Sequence, residues 1–264
     1  MPIAPFFREA GSGPGVVCLH SNASSSAQWR GLMDALAPKF HVIAADAYGA
    51  GKTPHPGRKV TLRDEVELLE PLFAKAGDPF ALVGHSYGGA IALVAALQYP
   101  GRVRALALYE PTLFALVEQE SPSPNDVDGI RNAADAAIAL VNAGDPVGAS
   151  RRFIDFWMGG ESFDRMPERN REAITASIVS IEAWKEALFG EPTSLAAFSK
   201  LKVPVLLITG TRSPLSSRGV TQRLRRVLPR VEVVELEGLG HMGPVTHPQP
   251  VNDAIRLFLE KEQS

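Results

Sequence analysis

Residues 80–97 are almost wholly apolar, yet the run is broken near its start by Gly84-His85-Ser86-Tyr87-Gly88 and then Gly89. A lipid-exposed helix does not carry such a block at its centre. A buried strand, a sharp turn and a helix account for it better. Gly-x-Ser-x-Gly between a strand and a helix is the pattern of a nucleophile elbow. The serine stands on a tight turn with its hydroxyl exposed above a sheet. The residues two before and two after it crowd together, so both are glycine or very small. The following helix starts at the serine, and its free N–H groups and dipole face any oxyanion that forms there.

The rest of the chain supplies a sheet for that elbow. Short runs rich in Val, Ile, Leu and Ala occur at 16–20, 41–46, 80–84, 103–109, 203–209 and 231–236, as in strands buried on both faces of a parallel sheet. Amphipathic segments lie between them. Leu62, Val66, Leu69, Leu72 and Phe73 share one helical face, as do Val251, Ala254, Ile255, Phe258 and Leu259. This alternation predicts an α/β fold with a doubly wound, mostly parallel sheet. Residues 3–10, followed by a Gly/Pro-rich turn, read as an edge strand. The rhythm stops between 112 and 200, where helical stripes such as Ile130, Ala134, Ala137, Ile138 and Val141 replace strands. The expected organisation is a core of residues 1–111 and 201–264 with a helical cap, 112–200, inserted into it. A chain of 264 residues accommodates one such domain.

Composition excludes several function classes. With 45% hydrophobic and 21% charged residues, the chain is an ordinary globular sequence. A net charge of −2 makes no electrostatic case for nucleic acid or an anionic membrane. Cys18 is the only cysteine, which rules out an intrachain disulfide framework and a Cys-rich zinc site. The first fifteen residues lack a basic stretch followed by an apolar run, so a cytoplasmic location is expected. Gly51-Lys52-Thr53 is not a phosphate loop: Asp46 stands where its first glycine belongs, and Pro54 blocks the helix that should follow.

The elbow, the strand–helix order and the turn Asp46-Ala47-Tyr48-Gly49-Ala50-Gly51 resemble the α/β-hydrolase family over nearly the whole length, with 112–200 in the place of that family's cap. The resemblance implies a serine hydrolase, with Ser86 as nucleophile. Serine needs a base. Of six histidines, His241 lies in a glycine-containing loop just after the 231–236 strand, where the family carries its histidine. The family's usual acid position, after the 203–209 strand, holds Ser213, and a neutral hydroxyl cannot stabilise an imidazolium. Glu110, at the end of the 103–109 strand, stands where some branches of the family take their acid, and the order Ser86, Glu110, His241 keeps the family's sequence. Tyr87 and Asn22 are the expected backbone donors of an oxyanion hole; Ser21 replaces a glycine common in relatives. His20 is read as ordering that loop and Asp46 as forming a turn, with Asp46 a reserve acid. Phe114 and Trp157 are the expected substrate-binding residues of the cap.

No cofactor or metal is implied. The expected substrate is a small to medium carboxylic ester, cleaved through an acyl-enzyme. A lactone, C–C bond hydrolysis at the same three residues, and a slow-turnover ligand-binding protein stay open as alternatives. No partner beyond a small molecule is expected, and the sequence leaves oligomeric state undefined.

Overall fold

The computed structural model describes residues 3–263; the extreme ends of the expected core, residues 1–2 and 264, lie outside the described residues. Seven strands form one sheet: β1 (Phe7–Ala10), β2 (Gly15–Leu19), β3 (His41–Ala45), β4 (Phe80–His85), β5 (Val103–Tyr109), β6 (Val205–Gly210) and β7 (Val231–Leu236). Their order across the sheet is β1-β3-β2-β4-β5-β6-β7. Only β1 runs antiparallel, against β3; the other pairings are parallel. β6 begins at Val205 rather than 203, immediately after Pro204, which has no N–H to donate to a ladder.

The helices outside the β5–β6 connection are α1 (Arg30–Leu36), α2 (Leu62–Ala76), α3 (Tyr87–Gln98), α9 (Leu215–Val227), α10 (Gly243–Thr246) and α11 (Pro248–Lys261). Those within it are α4 (Ala115–Glu120), α5 (Asp128–Asn142), α6 (Pro146–Met158), α7 (Glu168–Ser177) and α8 (Ile181–Phe189). The two-residue period of the strands divides the core. Val17, Ile43, Leu82, Leu106 and Leu207 point into one cluster with α2, α3 and the inserted helices. Val16, Val42, Val83, Ala107 and Leu206 point into a second with α1 and α11. α3 is buried at every position from Tyr87 to Ala96, which explains why its sequence is apolar all round.

Candidate active site

Ser86 sits between β4 and α3 with φ 55° and ψ −116°, a conformation L-residues rarely adopt. Two glycines make the turn possible. A Cβ at Gly84 would lie 2.6 Å from both the Gly88 oxygen and the Gly89 Cα, and one at Gly88 would lie 2.3 Å from the Leu19 oxygen. The carbonyl of Tyr109 accepts from the Ser86 N–H at 3.0 Å, tying the elbow to the end of β5.

The three side chains singled out as nucleophile, base and acid meet in one line. The Ser86 hydroxyl is 3.0 Å from His241 Nε2, and His241 Nδ1 is 2.7 Å from Glu110 Oε2. Glu110 is fully buried and His241 nearly so. The second carboxylate oxygen, Oε1, accepts from the Thr209 hydroxyl at 2.7 Å and the Gly210 N–H at 2.9 Å. Burial pushes the Glu110 pKa up. The hydrogen bond and charge of His241, with the nearby Ser213 hydroxyl and the Gly210 N–H, pull it further down, so the group stays ionised below the usual carboxylate range. An ionised carboxylate only accepts, so Nδ1 of His241 carries the proton and Nε2 is free to accept from Ser86. Glu110 also has a positive φ, 43°, which turns its side chain back toward the sheet end. Gly210 lets the histidine loop approach: a Cβ there would lie 2.2 Å from the Leu239 oxygen. Ser213 is buried near this carboxylate and helps to hold its pKa down, although its hydroxyl makes no hydrogen bond of normal geometry among the described residues.

The backbone N–H groups of Tyr87 and Asn22 make no hydrogen bond among the described residues, while the neighbouring Gly88 N–H donates to the His20 oxygen at 3.1 Å. Ala23 follows with φ 54°. His20 is buried; its Nδ1 is 2.7 Å from the Ser21 oxygen and its Nε2 accepts from the Ala47 N–H at 3.1 Å. Burial lowers its pKa, so it is a neutral brace between two loops. Asp46 is likewise buried, accepting from the backbone N–H groups of Ser26 and Lys52 at 2.6 and 2.9 Å.

Several supports have no local signature in the sequence. The Tyr109 hydroxyl donates to the Gly240 oxygen at 2.7 Å. The His85 ring is 2.8 Å through Nε2 from the His241 oxygen, and 3.1 Å through Nδ1 from the Gln28 side-chain nitrogen. Burial, reinforced by the charge of His241, pushes the His85 pKa down to about 3, so it is neutral. Its Nε2–H donates to the carbonyl, and its Nδ1 accepts from Gln28. Gln28 Oε1 in turn accepts from the Ser21 N–H at 3.3 Å and hydroxyl at 3.1 Å. One chain of contacts thus joins the 20–24 loop, the elbow and the histidine loop. Beneath the elbow, buried Glu65 accepts from the Tyr48 N–H at 3.1 Å and pairs with the Tyr87 hydroxyl at 3.1 Å. Burial raises its pKa to about 8.

Trp157 stacks on the His241 imidazole, with ring centroids 3.9 Å apart and 26° between planes. It borders two cavities that meet at Ser86, and Phe114 lines the inner of them. Among the described residues, no group of three or more His, Cys, Asp or Glu side chains is placed to hold a metal ion. No described helix is long and apolar enough to cross a membrane.

A serine on a strand–helix elbow and a histidine and carboxylate from neighbouring strand ends, on a seven-stranded and mostly parallel sheet, define a class of α/β proteins built around a nucleophile turn. The sequence profile of the α/β-hydrolase fold family matches residues 14–248, and the chain belongs to that family. It is 27% identical over 269 aligned residues to the 2-(acetamidomethylene)succinate hydrolase of Mesorhizobium japonicum, covering 96% of this chain and 90% of that protein. It is also 27% identical to the pimeloyl-[acyl-carrier protein] methyl ester esterase of Aeromonas hydrophila, covering 94% of this chain and 96% of the other. Among solved structures, an α/β hydrolase from Sphaerobacter thermophilus superposes with a TM-score of 0.75 at 25% identity, covering 98% of this chain and 96% of that one.

Proposed function

We propose that this protein is a serine hydrolase that cleaves a carboxylic ester through an acyl-enzyme. The observation that carries the reading is the unbroken line from the Ser86 hydroxyl through His241 to Glu110, at 3.0 and 2.7 Å. Ser86 Oγ attacks the acyl carbonyl as His241 Nε2 takes its proton, a general-base contribution of about 10²–10⁴-fold. Glu110 holds the Nδ1–H tautomer and stabilises the imidazolium. The Tyr87 and Asn22 N–H groups face the oxygen that gains charge; loss of one such donor costs about 2.7–4 kcal/mol in other hydrolases. His241 then gives its proton to the departing alcohol. Water, activated by the same nitrogen, releases the acid from Ser86.

The A. hydrophila relative is named as a methyl ester esterase, which supports an ester as substrate. The reading as a slow-turnover binding protein required Glu110 to point elsewhere, and its carboxylate is on the imidazole.

The test combines kinetics with labelling. Purified protein is expected to turn over short-chain 4-nitrophenyl esters and to gain the mass of a fluorophosphonate at Ser86, and Ser86→Ala is expected to lose both. Turnover retained in a folded Ser86→Ala variant would overturn the nucleophile assignment.

A further inference from the structure

The two cavities that meet at Ser86 differ in size and in what they touch. The outer one, about 230 Å³, runs past His241 and is walled by Ile154, Met158, Met166, Ile174, Met242 and Val245. No Lys, Arg, Asp or Glu borders it. The inner one, about 30 Å³, is walled by Phe114, Ile130, Trp184, Leu188 and Phe189. Its one charged neighbour, Lys185, is paired with Asp135. Asn22, Phe153 and Trp157 border both cavities. His241 borders the outer cavity and not the inner.

That asymmetry assigns the two halves of a substrate. The departing alkoxide must take its proton from His241 Nε2, so the alcohol half stands on the histidine's side. The carbonyl oxygen is directed at the N–H groups of Tyr87 and Asn22, which leaves the acyl chain the opposite direction. We infer that the inner cavity is the acyl subsite, taking a short acyl group, and that the outer cavity takes a larger, uncharged, apolar alcohol. The inference rests on Ser86 and His241 acting as nucleophile and base. The inner cavity is by far the smaller of the two, about 30 against 230 Å³, so it takes the shorter of the two halves. The outer cavity's methionines suit a flat or irregular apolar group, because thioethers adapt to shape and contact aromatic edges. A carboxylate placed there would find no cation, only the neutral polar groups of Ser24, Asn22 and Asn170. A substrate of the kind named for the M. japonicum relative, a succinate, is therefore a poor fit to this chain.

Two substrate series test the assignment. One varies the acyl chain of 4-nitrophenyl esters from acetate to decanoate; the other varies the alcohol of acetate esters from ethyl through phenyl to naphthyl. The expected kcat/KM is highest for acetate or butyrate and falls about tenfold or more by octanoate, whereas naphthyl acetate is as good as ethyl acetate or better. A hemisuccinate ester of the same alcohol is expected to be worse than the butyrate by about 100-fold. Leu188→Ala, or Phe189→Leu if the first does not fold, is expected to raise the hexanoate-to-acetate ratio about tenfold. Met166→Ala is expected to reorder the alcohol series and leave that ratio unmoved. An optimum at octanoate or longer, or a Leu188→Ala effect confined to the alcohol series, overturns the subsite assignment while ester hydrolysis at Ser86 stands. A folded protein that turns over no ester in either series overturns both.

Discussion

Replacing Glu110 with Gln changes one atom of the buried line and should disable it for a reason visible in the geometry. Oε1 of Glu110 is held by two donors, and only one of them can adapt. The Thr209 hydroxyl can rotate to accept, but the Gly210 N–H, at 2.9 Å, can only donate. The amide oxygen of Gln must therefore face Gly210, and its NH₂ must face His241 Nδ1. The imidazole can satisfy that donor only by moving its proton to Nε2, which leaves nothing to accept the Ser86 proton. The imidazolium that would form in the reaction also loses its buried counter-charge. In a serine protease the equivalent change lowers kcat by about 10⁴; we expect about 10³–10⁴ here, or roughly 4–5.5 kcal/mol of transition-state stabilisation. The assay is kcat for 4-nitrophenyl acetate near neutral pH, with the melting temperature and far-UV spectrum of each variant as controls. Ser213→Ala is the comparison, because the Ser213 hydroxyl is neutral and makes no hydrogen bond of normal geometry among the described residues, so its nearness to Glu110 should matter little and kcat should change little. A folded Glu110→Gln variant within tenfold of the parent, or a larger loss in Ser213→Ala, would refute the assignment of Glu110 as the acid.

Two further outcomes are expected. Trp157→Leu removes the ring that stacks on His241 at 3.9 Å; losing a cation–π contact of about 1 kcal/mol with the imidazolium should lower kcat roughly fivefold, with Trp157→Phe retaining most of it, and an unchanged kcat in the Leu variant would show that the contact only fills space. Glu65 keeps its proton to about pH 8 in the fold but releases it near the ordinary 4.5 when unfolded. Its contribution is therefore fully present below that lower value and is lost as pH rises toward 8. Glu65→Gln, which mimics the protonated side chain between Tyr48 and Tyr87, should flatten the fall in melting temperature over that window; parallel slopes for the two proteins would remove Glu65 as its source.

The parts of this molecule that could be read from sequence are those with a local pattern. The elbow announces itself because a tight turn between two buried elements tolerates only glycine at Gly84 and Gly88. Glu110 stands out because a lone carboxylate closing the apolar run 103–109 needs a partner. β5 and β7 begin and end where the apolar pattern places them. By contrast, α9 offers only a short apolar stripe, Val220, Leu224 and Val227, and the face it buries also includes Ser216, Ser217, Gly219 and Thr221. Between α7 and α8 the chain breaks through a one-turn 3₁₀ segment, Ile178–Ser180, and no proline or glycine marks it in the sequence. Gln28 and His85 are 57 positions apart and become partners only once β2 and β4 pair. The two cavities could not be foreseen either, since their shape depends on how α5, α6, α7 and α8 lean over the elbow.

The hydrogen-bonded line of Ser86, His241 and Glu110 and most of the walls around it have different origins along the chain. Ser86, Glu110 and His241 are anchored at the ends of β4, β5 and β7, whereas the inner cavity is closed largely by side chains between Phe114 and Phe189. Exchanging that intervening stretch for one of comparable span, with an aromatic ring kept at the place of Trp157 over His241, would alter what the molecule admits while leaving the three side chains at the strand ends in place. If the proposed hydrolysis holds, selectivity and reactivity are largely separate inheritances, and a laboratory recombination of such segments would retarget the chain with its chemistry kept.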